Sequence, residues 1–172
     1  MEEVIKCVEH LTLDEHKILI FTSYKTALEL VKKELDERNI TSYVIDGSVS
    51  SKKRQELVTK FNKDNTNVFL IMLKAGGTGL NLTGADTVIH LDLWWNPQVE
   101  AQATDRAHRI GQKHNVEVIK FICKGTIEEK ILELQEKKKE LSDALIEGET
   151  RNEDLVSTLT EEEFRNLLSY SE

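Results

Sequence analysis

Residues 68–112 most constrain what this chain can fold into, because they join a buried strand to a glycine-rich turn. Residues 68–73 form a continuous apolar run of the length expected for a parallel strand that is covered on both faces. Three glycines follow within four positions, at Gly76, Gly77 and Gly79. Since glycine has no side chain, the backbone there can approach a ligand closely. The pattern predicts a surface that contacts phosphate or sugar.

A helix predicted to begin at Pro97, with Asn96 as its cap, carries two arginines. Gln102, Arg106 and Arg109 are spaced four and three residues apart, so we expect all three on one helix face. Guanidinium groups stay charged and match phosphate oxygens in a bidentate way, which suits a polyphosphate ligand. The alternative is that the arginines form ordinary surface ion pairs with nearby acidic residues. The candidates for such pairs are Asp92, Glu100 and Asp105.

Strands and helices alternate along most of the chain. Apolar runs predict five strands, at residues 17–24, 42–45, 68–73, 87–91 and 116–123. Capping residues predict helix starts at Thr26 with Glu29, at Ser50 or Ser51, and at Thr126 with Glu129. This alternation predicts a parallel sheet with helices on both faces, whose ligands lie at the carboxyl ends of the strands. Besides the glycines, the residues at those ends are Thr22, Ser23, Gly47, Ser48 and Lys74.

The sequence predicts four segments of different character. Residues 1–16 are a connector helix and loop, 17–125 the sheet domain, 126–147 a long helix, and 148–172 an acidic tail with a short terminal helix. The net charge of −8 belongs to the tail, since the segment from residue 140 onward has ten acidic and two basic residues. The neutral body remains compatible with nucleic acid, which proteins also contact through backbone N–H groups.

Composition excludes several classes of protein. No run approaches the roughly 18 apolar residues of a membrane span, and the first residues lack the basic start of a signal peptide. Cys7 and Cys123 do not form a disulfide framework, and no second Cys or His pair follows Cys7 and His10 at the interval of a zinc site. We therefore expect a monomer in the cytoplasm, or in the nucleus of a eukaryote, with no metal held by this chain alone.

Three linked motifs resemble those of the SWI/SNF-type ATPases of helicase superfamily two. They are KAGGTGLNL at 74–82, DLWWNP at 92–97 and QATDRAHRIGQ at 102–112. Over about residues 17–141 the chain is similar to the second, C-terminal RecA-like lobe of such enzymes, a parallel α/β sheet with a C-terminal helical extension that includes a brace helix. The resemblance implies that Arg106 and Arg109 reach the phosphates of ATP as arginine fingers.

The same resemblance implies the other site residues and the partners. Contacts to ATP are implied for Gln102, Gly77, Gly79 and Asp105. Contacts to nucleic acid are implied for Thr22, Ser23, Gly47, Ser48, Lys74, Ala75, Gly76 and Trp95. The implied partners are double-stranded DNA and a first RecA-like lobe of the same protein, which would bind most of the ATP and Mg²⁺.

The sequence contains neither a phosphate-binding GxxxxGK[ST] loop nor a strand that ends in Asp-Glu. We therefore expect a part of a longer motor that does not hydrolyse ATP by itself. A strand-separating helicase is a second reading, although the RIGQ ending and the WWNP corner favour a translocase. A stand-alone Rossmann-like module is disfavoured, because its glycines would be spaced GxGxxG after the first strand. A structural adaptor remains open.

Overall fold

The core of the chain is a five-stranded sheet in which every strand is parallel to its neighbours. The computed structural model describes residues 1–74, 80–94, 97–107 and 115–136. Its strands are β1 (Ile18–Thr22), β2 (Ser42–Ile45), β3 (Val68–Met72), β4 (Thr87–His90) and β5 (Glu117–Lys120). They lie in the order β2-β3-β1-β4-β5. The predicted parallel α/β sheet of five strands is confirmed.

Helices separate most of the strands, as the sequence predicted, but none is described between β3 and β4. They are α1 (Glu2–Leu13), α2 (Lys25–Glu37), α3 (Ser51–Phe61) and α4 (Pro97–Thr104). A further helix, α5, occupies residues 127–136, which are the last described ones. The predicted continuation of this helix to 147 and the predicted tail at 148–172 lie outside the described residues.

Helices cover both faces of the sheet, because alternate residues of each strand point to opposite sides. On one face, Ile18 and Ile20 of β1 share a buried cluster with Val8 of α1 and Leu35 of α2. On the other face, Phe69 of β3 meets Phe61 of α3, with ring centroids 5.2 Å apart. Consecutive βαβ crossovers of the same hand place their helices on opposite faces when the strand order reverses, as it does at β2. The central strands are therefore buried on both sides.

The helix predicted to begin at Pro97 does begin there. Of the starts predicted at Thr26, at Ser50 or Ser51, and at Thr126, two are confirmed and one is wrong. The Ser50 hydroxyl accepts a hydrogen bond from the Lys53 N–H at 3.4 Å, so Ser50 caps α3. Ahead of α5, the Thr126 hydroxyl accepts from the Glu128 N–H, and Glu129 accepts from the Gly125 N–H. The predicted cap at Thr26 fails because α2 already begins at Lys25, with Tyr24 as its N-cap. The Thr22 hydroxyl accepts from the Tyr24 N–H at 3.1 Å, which turns the chain into the helix earlier.

Asn62, at the end of α3, holds the loop that follows the glycine motif. Its side-chain amide donates to the Asn81 carbonyl at 2.8 Å and accepts from the Gly84 N–H at 2.9 Å. The close approach requires glycine at position 84, since a Cβ there would lie 2.9 Å from the Asn62 Cα. One side chain thus fixes both ends of the short segment 81–84.

The chain divides into two compact units. The first unit comprises residues 1–92 and 101–121 and contains the whole sheet. The second comprises residues 93–100 and 122–172, which include the start of α4 and all of α5. In the described part of the chain, no helix combines the length and apolar character needed to cross a membrane.

We expect Gly84→Ala to lower the free energy of unfolding by about 1–3 kcal/mol, because the added methyl group meets backbone that cannot move freely. Gly47→Ala is the matched control, since a Cβ there would meet nothing within 4 Å. It should change the stability by less than about 0.5 kcal/mol. Urea unfolding of both variants measures the difference. Equal stabilities would show that the loop can move enough to accommodate a methyl group at position 84.

Candidate functional site

The carboxyl ends of the parallel strands gather polar residues at one edge of the sheet. Thr22 ends β1 in register with Met72, the last residue of β3, and Phe21 is paired with His90, the last residue of β4. Ser23, Gly47, Ser48, Lys74 and Asp92 follow directly after strands or within three residues of their ends. The predicted set of strand-end residues is therefore brought to one edge, as parallel strands require.

Asp92 organises this edge of the sheet. It is 6% exposed and lies two residues beyond the end of β4. Its carboxylate accepts a hydrogen bond from the Thr22 hydroxyl at 2.5 Å and from the Ser23 N–H, with both oxygens 3.0 Å from that nitrogen. Hydrogen bonds to a buried carboxylate are among the stronger ones in proteins. Asp92 therefore locks the exit of β1 to the exit of β4.

The same contacts decide how Thr22 and Ser23 are presented. Thr22 is buried, and its hydroxyl both donates to Asp92 and accepts from Tyr24. Ser23 is half-buried, and among the described residues its buried Oγ has no hydrogen-bond partner. Nucleic-acid contact by these two residues stays a prediction. The structure shows in addition that Thr22 is buried and supports this edge of the sheet through its hydrogen bonds with Asp92 and Tyr24.

Arg106 lies in the turn that follows Thr104 and is held by two contacts. Its guanidinium carbon is 5.9 Å from the ring centroid of Phe21, a cation–π distance, and its side chain is half-buried. Its carbonyl accepts from the Leu82 N–H at 2.9 Å, where the glycine motif ends. The structure thus joins the predicted glycine and arginine motifs through this turn.

The helix that carries the arginine motif is shorter than predicted. α4 ends at Thr104, and the N–H groups of Arg106 and Ala107 donate to carbonyls three residues back, as in a tightening last turn. His90 holds this end, with Nε2 3.2 Å from the Thr104 hydroxyl and its ring stacked 5.6 Å from Phe21. The prediction that Arg106 belongs to this helix is therefore wrong, since Arg106 follows α4 in a turn. That Gln102, Arg106 and Arg109 lie on one face stays a prediction, because Arg109 lies outside the described residues.

The loop after β2 is shaped by its own polar groups. Ser48 donates to one Asp46 oxygen from its hydroxyl at 2.6 Å and from its N–H at 2.9 Å. These bonds hold the pKa of Asp46 below its usual value. From α3, Arg54 Nε donates to the Val49 carbonyl at 2.8 Å. Gly47 and Ser48 are consequently exposed on an ordered turn.

The remaining predicted residues are either exposed or outside the described part. Lys74, Gln102 and Asp105 are exposed. Six predicted site residues lie outside the described residues: Ala75, Gly76, Gly77, Gly79, Trp95 and Arg109. Among the described residues, no group of three or more His, Cys, Asp or Glu side chains is arranged to hold a metal ion.

Sequence reasoning missed the role of Asp92, which it treated only as a possible ion-pair partner of the arginines. A signal was available, because an acidic residue directly after the predicted buried strand 87–91 is poorly placed unless it has a partner. It also missed Phe21 as the platform for Arg106. An aromatic residue in the middle of a buried strand gives no such signal.

Comparisons with known proteins agree with this geometry. The profile of the helicase conserved C-terminal domain matches residues 1–111. An uncharacterized ATP-dependent helicase of Mycoplasma pneumoniae is 42% identical over 168 residues, which are 96% of this chain and 16% of that protein. The putative ATP-dependent helicase/translocase YwqA of Bacillus subtilis is 40% identical over 172 residues, which are 99% of this chain and 18% of that protein. The chain thus spans a small part of the length of both relatives.

A solved structure is similar over most of the chain. It is the crystal structure of the C-terminal part of the Fun30 ATPase domain, with a TM-score of 0.73 and 36% sequence identity. The similarity covers 77% of this chain and 44% of that one.

Asp92→Asn should lower the free energy of unfolding by about 1.5–3 kcal/mol, because an amide nitrogen cannot accept from Thr22 or Ser23 and leaves a buried donor without a partner. Asp14→Asn, at an exposed carboxylate 3.6 Å from His10, is the control and should stay within about 0.5 kcal/mol. Thermal or urea unfolding measures both. Equal losses would mean that Asp92 does not hold the edge.

Ser48→Ala should raise the pKa of Asp46 toward its usual value, because the hydroxyl bond that favours the carboxylate is lost while the N–H bond remains. Since the folded pKa is lowered, this contribution to stability is present above the usual Asp pKa and is lost as the pH falls through the folded value. Carbon NMR titration of the Asp46 carboxyl measures the shift. Ser51→Ala is the control, and an unchanged midpoint in Ser48→Ala would refute the assignment.

Proposed function

This chain belongs to the helicase conserved C-terminal domain family, and we propose that it serves as the second motor lobe of an ATP-dependent double-stranded DNA translocase. Its RecA-like sheet and its three linked motifs are those of SWI/SNF-type ATPases. The lobe corresponds to residues 17–125 in this proposal, with 126–147 as a brace helix and 148–172 as a tail. It works as a monomer in the cytoplasm or nucleus, against a first lobe of the same protein.

The observation that carries the proposal is the anchored position of Arg106. A flexible surface arginine would have to lose side-chain entropy each time it met a ligand. Arg106 is already held against Phe21 and tied through its backbone to Leu82, so its charge is kept close to the glycine motif. Preorganised positive charge of this kind stabilises charge that develops on a transferring phosphoryl group.

In the proposed mechanism, Arg106 and Arg109 act as arginine fingers toward ATP bound mainly by the first lobe. ATP supplies the phosphoryl group that is transferred to water, and Mg²⁺ and the phosphate cradle belong to that lobe. This chain contributes Gln102, Asp105 and the backbone at Gly77 and Gly79. The residues present fit an anionic ligand, since the guanidinium of Arg106 is cationic and the exposed amide of Gln102 can donate hydrogen bonds.

The proposed DNA track follows the sheet edge. Gly47 and Ser48 lie in an exposed turn after β2 that is held by hydrogen bonds to Asp46. Lys74 is exposed two residues after β3, the strand that pairs with β2. Backbone N–H groups, hydroxyls and single lysines contact phosphates without reading bases, which suits a motor that moves along any sequence. The remaining proposed contacts come from Ser23, Ala75, Gly76 and Trp95, with Thr22 supporting them through Asp92.

Replacing Arg106 by alanine in the complete protein should lower single-turnover ATP hydrolysis by about 10³- to 10⁵-fold, or about 4–7 kcal/mol of activation free energy. The affinity for ATP should fall far less, because the contact forms chiefly in the transition state. Arg106→Lys should recover little of the rate, since the bidentate fork is lost. Hydrolysis at saturating ATP and DNA, together with nucleotide titration, separates these quantities.

Arg38→Ala is the matched control for this experiment. Arg38 is an arginine of the same chain that pairs with Glu9 and Glu34 on the surface, at 3.0 and 2.6 Å. Its loss should leave hydrolysis within about twofold, as expected for surface ion pairs. Normal hydrolysis by Arg106→Ala would reject the motor assignment for this residue and would favour a structural adaptor. A strand-displacement assay distinguishes a translocase from a strand-separating helicase.

A further inference from the structure

A buried polar cluster in the second unit joins the start of α4 to α5. Glu100 of α4 is 3% exposed and Gln135 of α5 is 6% exposed. The Glu100 carboxylate accepts from the Trp94 N–H at 2.7 Å and from Gln135 Nε2 at 3.2 Å. The same Gln135 nitrogen donates to the Trp94 carbonyl at 2.7 Å. Two side chains therefore bind both backbone polar groups of Trp94.

Packing alone does not explain why the polar residues Glu100 and Gln135 occupy these buried positions. Burying a carboxylate and an amide is unfavourable unless their partners are in place, and apolar side chains of similar volume would cover the same surface at lower cost. What apolar side chains cannot do is fix a backbone N–H and carbonyl in direction as well as position. The cluster is therefore suited to holding the peptide groups of Trp94 in one arrangement.

Trp94, the residue bound by this cluster, lies next to a proposed functional residue. It directly precedes Trp95, a proposed contact to DNA, and α4 begins at Pro97. Of the two anchoring side chains, Glu100 is close to Trp94 in sequence, whereas Gln135 is more than 40 residues away on α5. The C-terminal helix thus helps to fix the backbone of Trp94.

We propose that Gln135 is a positioning residue through which α5 fixes the backbone of Trp94 for DNA binding. The proposal rests on the proposed function only in assigning DNA as the ligand next to Trp94. In the wild type, Gln135 donates to Glu100 and to the Trp94 carbonyl. Without these two bonds, the Trp94 peptide keeps the bond from its N–H to Glu100 but is less constrained. The position of α5 and the engagement of DNA are therefore coupled.

Tryptophan fluorescence can test the proposal, because the two tryptophans of the chain are Trp94 and Trp95. When the excitation wavelength is chosen so that tyrosine does not absorb, the emission of the 172-residue chain comes from these two adjacent residues alone. Gln135→Leu keeps the volume and removes both donors, and Gln135→Asn keeps an amide that is one methylene too short to reach both acceptors. Each should shift tryptophan emission to longer wavelength and increase quenching by acrylamide. Circular dichroism should show an unchanged helix and sheet content.

Glu136→Leu is the matched control, since Glu136 is the exposed neighbour of Gln135 on α5. It should leave the emission as in the wild type. If Gln135→Leu does not fold, Gln135→Asn alone carries the test. Wild-type emission and quenching in the folded Gln135 variants would overturn the proposal.

A second measurement tests whether Gln135 affects the affinity of the complete protein for DNA. The Gln135 variants should bind double-stranded DNA about 2- to 30-fold more weakly, the range expected for coupling through a positioned element, while the Kd for ATP is unchanged. A changed emission with unaltered DNA affinity would also overturn the proposal. Failure of the wild-type complete protein to bind DNA would instead reject the proposed function. The fluorescence result would still test whether Gln135 fixes Trp94.

Discussion

The hydrogen bonds of the Asp92 carboxylate are the constraint on which the sheet edge depends. Parallel strands bring their carboxyl ends together, but they leave the exits of the chain free to turn in several directions. Asp92 removes that freedom for β1 by binding the Thr22 hydroxyl and the Ser23 N–H. Thr22 in turn directs Tyr24 into α2. A single buried acidic group therefore sets the start of one helix and the surface of a candidate ligand edge.

Arg106 has an aromatic contact inside the sheet domain, whereas Arg38 lies on the surface. Arg38 pairs with carboxylates of its own and a neighbouring helix, an arrangement that contributes little in water. Arg106 lies against an aromatic ring that is itself stacked on His90 and is buried in the sheet. The ring contact and the bond from Leu82 place Arg106 where the glycine motif ends, a position compatible with the proposed phosphate contact.

Local sequence patterns predicted the elements well, since apolar runs and capping residues act over a few positions. β2 was predicted at its observed bounds and Ser50 as the cap of α3, and parallel order followed from the alternation. The errors at Thr26 and at the end of α4 share a cause. Both boundaries are set by contacts between distant segments, Thr22 with Asp92 and His90 with Thr104, which no local pattern encodes. The contact of Gln135 with Trp94 was unpredictable for the same reason.

The clip formed by Asn62 has a consequence for how chains of this kind can change in length. Because one amide group binds both Asn81 and Gly84, the spacing between those residues is fixed by the reach of a single side chain. Insertions or deletions within 81–84 would break one of the two bonds. Length variation during evolution, or loop grafting in the laboratory, is therefore restricted in this segment, because Leu82 lies between the two residues that Asn62 binds and donates its N–H to the Arg106 carbonyl, which links the end of the glycine motif to the arginine turn.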